Sequence, residues 1–405
     1  MDGIARLRDE LPVTELALID PDAKRLGLVA GVSRRMLAHA GHPARVLATS
    51  SVEEGVAGGA GGAVPAAGGR AGGPRRGRDA AAALWLRGAG DDGRGRAGQG
   101  AAHGAGGAGD RRRRARRRPP DAWIVDFTNP VGIVTRALLD AGHRVIGLCN
   151  VAIGLQRRFA AWLGADPARV SLGHVGLNHL TWERSVLLDG EDVLPALLRE
   201  HGDELAESLG LRPGLLRRLG VVPSYYLRYF YAHDAVVREQ RSKPSRAAEV
   251  ADMEARLLAL YADPAVVTKP ELLSERGGAF YSEAAVALIA SLLGDRGDTQ
   301  VVNVRNDGTL PFLGDEAVIE VPAAVTAAGA VPLPVAPVEP LFAGLIAHVS
   351  AYETLALDAA LHGGADRVRD ALLAHPLIGQ DETAEELTEL LLTANQAHLP
   401  WAASR

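Results

Sequence analysis

Residues 121–154, DAWIVDFTNPVGIVTRALLDAGHRVIGLCNVAIG, decide how the rest of the chain is read. An apolar run from Trp123 to Phe127 stops at Thr128-Asn129-Pro130, residues that favour a turn. Gly132–Ala141 then carries apolar residues at helical spacing. A second apolar run, Arg144–Leu148, ends at Cys149-Asn150, and a second helical stretch covers Leu155–Leu163. Strand, helix, strand, helix at this spacing predicts parallel strands of an α/β sheet. Such sheets bind ligands at the carboxyl ends of their strands, where Asn129, Cys149 and Asn150 fall. Each has a plainer reading: Asn-Pro is a good turn, and a lone Cys at a strand end is usually a small buried hydrophobe.

Upstream, residues 14–50 read as part of a nucleotide-binding α/β unit. Glu15 to Asp20 is a short apolar run ending in an acid, 22–40 has a helical apolar pattern, and Arg45 to Ala48 begins another strand. An acid closing the second strand of a dinucleotide fold accepts hydrogen bonds from the adenosine ribose, which makes Asp20 the candidate NAD selector. A polar residue at a strand end is the alternative. The strand and glycine-rich turn that normally open such a fold do not precede Glu15. Residues 1–150 are therefore read as an incomplete, damaged Rossmann-like NAD-binding domain.

Within it, residues 56–119 are foreign in composition. Of these 64 positions 19 are Gly, 17 Ala and 14 Arg, with no Ile, Phe, Tyr, Ser, Thr, Lys or Glu, and the tract ends in RRRRARRR at 111–118. A disordered linker, an Arg-rich polyanion-binding segment and a GC-rich stretch translated out of frame all fit. The third is preferred, because both flanks read as halves of one α/β unit and so long an insert in a compact unit is rare. No stable core is expected in it.

Downstream, Val170–Val175 and Leu180–Leu188 are strand candidates, 190–275 is mainly helical, and Ser282–Leu293 is a helix. VVNVRNDGTLPFLGDEAVIEVP, residues 301–322, reads as a hairpin turning at Asn306-Asp307-Gly308. Residues 335–395 are helical. Residues 151–405 are read as an α+β domain for substrate binding and assembly.

Composition bounds the function. The 405 residues are 47% hydrophobic with a net charge of -5, which gives no global reason for a nucleic-acid partner. A single cysteine excludes an intramolecular disulfide and suits a reducing cytoplasm. The segment MDGIARLRDELP is no signal peptide, and no uninterrupted apolar stretch reaches the roughly 18 residues of a membrane span. A soluble cytoplasmic protein, with no membrane partner, is expected.

Five ordered segments then give a resemblance. DFTNPVGIVT, GLCNVAIG, GHVGLNH, RGGAFYS and VVNVRNDG with its EVP strand resemble, in order and spacing, the motifs of glycoside hydrolase family 4, of the 6-phospho-β-glucosidase type. The likeness covers about 120–400 and 10–55. It implies hydrolysis without the usual pair of carboxylates. In that family NAD takes hydride from C3 of the sugar, a base removes the C2 proton, the aglycone leaves C1 by elimination, and water and hydride return. It also implies a divalent metal, with Mn²⁺ as precedent, held by Cys149 and His179 in an open catalytic arrangement. Asn129 and Asn150 match substrate-contacting positions, Tyr281 the base, and Arg305 is the choice for the 6-phosphate. The substrate would be a phosphorylated disaccharide or aryl glycoside, and the assembly a homodimer or homotetramer. An α-linked or other family 4 glycosidase, or an inactive remnant lacking NAD binding, are the alternative readings. A plain 2-hydroxy-acid dehydrogenase would not need the Cys/His pair.

Translating the coding DNA across residues 56–119 in its two other frames tests the out-of-frame reading. One frame is expected to contain strand-like and helix-like stretches with Ser, Thr, Glu and aromatic residues. Gly/Ala/Arg-rich or stop-filled sequence in both frames would make the tract a genuine insert.

Overall fold

Trp123 to Phe127, all five buried, form the strand beside which the parallel part of the larger sheet is laid. The structure is a computed structural model that describes residues 1–9, 11, 13–56, 61–65, 83–84, 122–243, 246–275, 280–399 and 401. In chain order the first strands are β1 (Glu15–Ile19), β2 (Arg45–Thr49), β3 (Gly61–Pro65), β4 (Ala83–Leu84), β5 (Trp123–Phe127) and β6 (Val145–Gly147). They are followed by β7 (Val170–Leu177), β8 (Leu180–Leu188), β9 (Glu191–Asp192), β10 (Val222–Pro223), β11 (Asp298–Arg305), β12 (Val318–Thr326) and β13 (Gly329–Pro332).

A three-stranded sheet has the order β2-β1-β4, with β1 and β2 parallel. The larger, ten-stranded sheet runs β10-β8-β7-β12-β11-β6-β5-β3, with β13 on β12 and β9 on β8. β3, β5 and β6 are parallel, as the strand–helix–strand reading requires, and the later strands pair antiparallel. This is the expected α/β class. The sheet draws β3, β5 and β6 from before residue 150 and its other strands from after it.

Two expectations are corrected. No stable core is expected in residues 56–119, yet Gly61–Pro65 pairs along the whole of β5 and Ala83–Leu84 pairs with β1; apart from Val56, the remainder of that tract lies outside the described residues. Residues 298–326 form an antiparallel pair, Arg305 opposite Val318, but the connection is the whole of 306–317 and not a tight turn. The Asn306 side chain explains why. Its amide donates to the carbonyls of Leu310 and Leu313 and accepts from the Leu310 amide, so the segment closes on itself as a loop.

The main hydrophobic cluster lies on the larger sheet, where Phe127, Ile146, Leu177, Trp182, Val302, Ile319 and Val321 meet Leu288 and Ile346. The Pro340–His362 helix has the length and mean hydropathy, 1.2, of a membrane span. Its Phe342, Leu345 and Ile346 belong to this core, and Arg136 of the Val131–Asp140 helix donates to its Thr354 at 2.8 Å. Gly147 lets the Val131–Asp140 helix lie close on β6, since a Cβ there would stand 2.4 Å from Thr135 Oγ1 and 2.7 Å from Val131 Cγ1.

In the smaller sheet, Asp22 caps the Ala23–His39 helix by accepting from the Lys24 and Arg25 amides, both at 3.0 Å. Arg25, on the first turn, folds back to Asp20 at the end of β1. Its Nε donates to Oδ2 at 2.6 Å and its Nη2 to Oδ1 at 2.9 Å, a forked pair with side chains 9% and 3% exposed. Glu254 of the Arg246–Ala262 helix stands 4.0 Å from the same guanidinium.

Arg25→Ala leaves the Asp20 carboxylate buried without its cation. It is expected to lower stability by about 3–5 kcal/mol in urea unfolding, whereas the double change Asp20→Leu with Arg25→Met recovers most of the loss. A loss below about 1 kcal/mol in the single variant would show the pair to be solvated.

Candidate active site

Six strands share one register row. Asp126 of β5 lies opposite Gly147 of β6, Gly147 opposite Asn303 of β11, Asn303 opposite Glu320 of β12, Glu320 opposite Gly176 of β7, and Gly176 opposite Thr181 of β8. Residues directly opposite one another point to the same face of a sheet, so a line of buried polar side chains, spaced by two glycines, crosses the core. Asp126, Asn303, Glu320 and Thr181 are all at most 1% exposed.

At the carboxyl edge of the parallel strands the expected residues come together. Asn129 lies three residues beyond Asp126, and Asn150 three beyond its partner Gly147, so Asn129 and Cys149-Asn150 leave neighbouring strands side by side. Asp126 shapes the first of these exits: its carboxylate accepts from the Thr128 amide at 2.8 Å and from Thr135 Oγ1 at 3.0 Å. Burial pushes its pKa up to about 7 against those hydrogen bonds. Both ends of the Asn129 amide are buried with no hydrogen-bond partner, which a group able to donate and accept, such as a sugar hydroxyl, would satisfy. Asn150 stands at the N-cap of the Val151–Leu163 helix without capping it through its side chain, and Cys149 is 5% exposed.

His179 is presented differently. Leu177 pairs with Leu180, so Asn178-His179 is the two-residue turn of the β7–β8 hairpin, and His179 has a φ of 66°. Its ring stacks on Tyr226 with centroids 3.7 Å apart and planes 16° from parallel. β11 and β12 stand between β6 and β7 in the sheet order, so Cys149 and His179 do not leave adjacent strands.

Behind that turn lies a charge cluster the sequence reading missed. His174 Nδ1 is 2.7 Å from Glu183 Oε1 and its Nε2 is 3.0 Å from Glu320 Oε1. The other Glu320 oxygen accepts from Asn178 at 3.1 Å and from Asn303 at 2.9 Å. Burial alone would lower the His174 pKa, but the two carboxylates outweigh it and push it up to about 10. Burial likewise acts to raise the Glu320 pKa, and its hydrogen bond from His174 leads the contacts that bring it below the ordinary value. The signal lay in β7, where His174, Gly176 and Asn178 alternate onto one face. The aromatic run Tyr225 to Tyr231 beside His179 also went unremarked.

Tyr281 opens the Tyr281–Gly294 helix. That helix start is docked on the Val151–Leu163 helix, because Arg157 pairs with Glu283 and lies 5.0 Å above the Phe280 ring. Residues 276–279 of the same motif lie outside the described residues.

Two assigned residues are already engaged by other groups. Arg305 donates to Asp140 at 2.6 Å. Asp140 ends the helix that runs from Asn129 down to the start of β6, so Arg305 sits at the opposite edge of the parallel strands, and a 6-phosphate beside Asn129 is out of its place. Asp20 already has both oxygens engaged, by the Arg25 fork and by the Asp22 amide at 2.9 Å. Three of the roughly four acceptor positions of its carboxylate are thus taken, and the side chain is 3% exposed. No group of three or more His, Cys, Asp and Glu that could hold a divalent ion exists among the described residues. The register of β12 with β7 sets the Asn178-His179 turn on the Arg305 side of the row, so strand placement alone does not bring the Cys149 thiol and the His179 imidazole together.

Comparison with known proteins agrees with this architecture. Residues 112–165 match the family described as "Family 4 glycosyl hydrolase", and residues 174–378 match "Family 4 glycosyl hydrolase C-terminal domain". The chain is 34% identical over 294 residues to a Bacillus subtilis (strain 168) protein described as "Probable 6-phospho-beta-glucosidase", covering 69% of this chain and 66% of that protein. It is 32% identical over 287 residues to a 6-phospho-β-glucosidase of Thermotoga maritima, covering 70% and 69%. The aligned part of the chain thus spans just under two thirds of the B. subtilis relative. A structure of the T. maritima 6-phospho-β-glucosidase with NAD and glucose-6-phosphate superposes with a TM-score of 0.82 at 27% identity, over 98% of this chain and 95% of that one.

The His174 cluster makes stability depend on pH in a stated direction. The folded pKa near 10 lies above the unfolded 6.5, so its contribution is full below pH 6.5 and is lost as pH rises through about 10. Glu320, lowered from 4.5, contributes above that value and loses its contribution as pH falls below it. The trio's contribution to the urea midpoint is expected to be largest between about pH 4.5 and 6.5, with an alkaline decline that His174→Gln flattens. An alkaline limb unchanged in the His174→Gln variant would mean that His174 is not the group that titrates.

Proposed function

We infer the activity of this chain from its family: it belongs to family 4 of the glycosyl hydrolases. On that premise the chain hydrolyses 6-phospho-β-glucosides, phosphorylated disaccharides or aryl glycosides, in the cytoplasm and as a homodimer or homotetramer. The observation that supports this best is the adjacent exit of Asn129 and Cys149-Asn150 from register-matched strands, with the Asn129 amide buried and unbonded.

NAD and a divalent ion, as in T. maritima 6-phospho-β-glucosidase with manganese, NAD⁺ and glucose-6-phosphate, supply a hydride acceptor and a Lewis acid when bound. In this reading Cys149 and His179 hold the ion. Asn129 and Asn150 fix the sugar through its hydroxyls, each amide both donating and accepting. Tyr281 removes the proton from C2, and as a phenol with an ordinary pKa near 10 it needs the cation close by to do so. Asp20 is the residue assigned to the NAD ribose, with one acceptor position left beside the Arg25 fork. No residue is assigned to the 6-phosphate, since Arg305 faces the other edge.

The test uses the full chain with NAD, Mn²⁺ and the 4-nitrophenyl β-glucoside of glucose 6-phosphate. Release of nitrophenol that needs NAD, Mn²⁺ and the 6-phosphate is expected. Tyr281→Phe should lower turnover by about 10²–10⁴-fold and abolish exchange of the C2 hydrogen with deuterated solvent, while sugar-phosphate binding persists. Cys149→Ser should remove the Mn²⁺ requirement along with activity. Turnover and exchange that both survive in Tyr281→Phe would transfer the base role to another residue. Hydrolysis of the unphosphorylated glucoside without NAD would overturn the proposal.

A further inference from the structure

The buried row contains a residue the reaction does not use directly. Glu320 is 1% exposed and lies on β12, between the strand carrying Asn303 and the strand carrying His174. Its three contacts differ in kind. His174 holds one oxygen from inside the sheet, Asn303 reaches the other from the neighbouring strand, and Asn178 reaches that same oxygen from the hairpin turn. Glu320 itself is opposite Gly176 in register, where no side chain competes for the space beside it. Asn178 is the first of the two turn residues and His179 the second.

We propose that Glu320 is a positioning residue: its carboxylate, anchored on His174, grips Asn178 and so fixes the turn that presents the His179 imidazole. The proposal rests on the reading of His179 as a site residue made above.

Several features give the arrangement this purpose. A buried ion pair with this many polar neighbours is a poor way to stabilise a sheet, since an apolar set of equal volume does as well or better. What such a cluster supplies is a directed hold. A two-residue turn has few backbone contacts of its own, and His179 within it has a positive φ, a conformation that a non-glycine residue adopts only when its surroundings impose it. The imposed geometry has two handles. Tyr226 fixes the ring plane from one side, and Asn178 fixes the backbone through Glu320 from the other. The Tyr226 handle is itself tied to β8. The Ser224 amide donates to the Thr181 carbonyl at 2.8 Å, and the Ser224 hydroxyl accepts from the Tyr226 amide at 3.4 Å. With both handles in place the imidazole has one orientation before any ligand arrives. Residues that orient a metal-binding His in this indirect way change metal affinity by about 10–100-fold when removed.

The stacking supplies a readout that needs neither metal nor substrate. A ring 3.7 Å above Tyr226 has its carbon-bound protons shifted upfield, and the signal is assigned by its loss in His179→Ala. The experiment compares the full chain with Asn178→Ala, Glu320→Gln and Glu320→Ala by histidine-labelled ¹H–¹³C spectra, thermal unfolding, and titration with Mn²⁺ alone followed by electron paramagnetic resonance. Asn178→Ala is expected to abolish the upfield shift and weaken Mn²⁺ binding about tenfold or more, with the unfolding midpoint nearly unchanged. Glu320→Gln, which still offers Asn178 an acceptor oxygen, should retain much of the shift. Glu320→Ala should lose it, or fail to fold, in which case the Asn178→Ala comparison decides. An upfield shift and Mn²⁺ affinity both unchanged in Asn178→Ala overturn the proposal. If Cys149→Ser and His179→Ala leave Mn²⁺ binding untouched while Asn178→Ala abolishes the shift, the metal reading of the site fails and the positioning role stands.

Discussion

His174 has a carboxylate on each ring nitrogen, and all three groups are sealed from water. A buried charge without its partner costs several kcal/mol, so each member of the trio can exist only where the other two are. The constraint fixes more than a local contact. His174 and Glu183 belong to one hairpin, and Glu320 to a strand of another pair, so the trio dictates which strands become neighbours and in which register. A slip of one residue would turn every one of these side chains to the opposite face. The apolar core on the larger sheet supplies most of the driving force, but it is tolerant of registers in a way the charges are not.

The two edges of the parallel strands have separate tasks. At the carboxyl edge the chain leaves β5 and β6 through turns rich in amide and thiol groups, with Asp126 tying down the first of them. At the other edge Asp140, Arg136, Arg305 and Glu316 form ion pairs around the end of the helix. The same residue types thus mean different things by position. An Arg in the VVNVRNDG segment has the chemistry to hold a phosphate, and its strand runs the wrong way to deliver it.

Much of the architecture was legible because it follows from short-range pattern. The apolar run ending at Asp20, the helix capped by Asp22 and the strand from Trp123 were read to within a residue or two. The parallel placement of Asn129 beside Cys149-Asn150 followed from strand–helix–strand spacing. What escaped was set by contacts distant in sequence. Glu320 and His174 are 146 residues apart, and no local pattern in either strand announces the other. Asp20 illustrates the opposite case. Its competitor, Arg25, is only five residues away, but a helix had to form before the guanidinium could fold back onto the strand end. The connection 306–317 was misjudged because Asn306-Asp307-Gly308 has turn chemistry, while the buried Asn306 amide holds a larger loop.

The position of β12 in the sheet has a consequence for how the chain is made. It lies between β7 and β11, yet both the β7–β8 hairpin and β11 leave the ribosome before it does. During synthesis β7 therefore waits, for well over a hundred residues, with an open edge and with the third member of the charge trio still missing. Exposed strand edges recruit other strands, and contacts this distant in sequence form slowly. In that interval His174 has Glu183 of its own hairpin for a partner and lacks only Glu320, so a wrong strand laid on the β7 edge would bury the ring with one nitrogen unmatched.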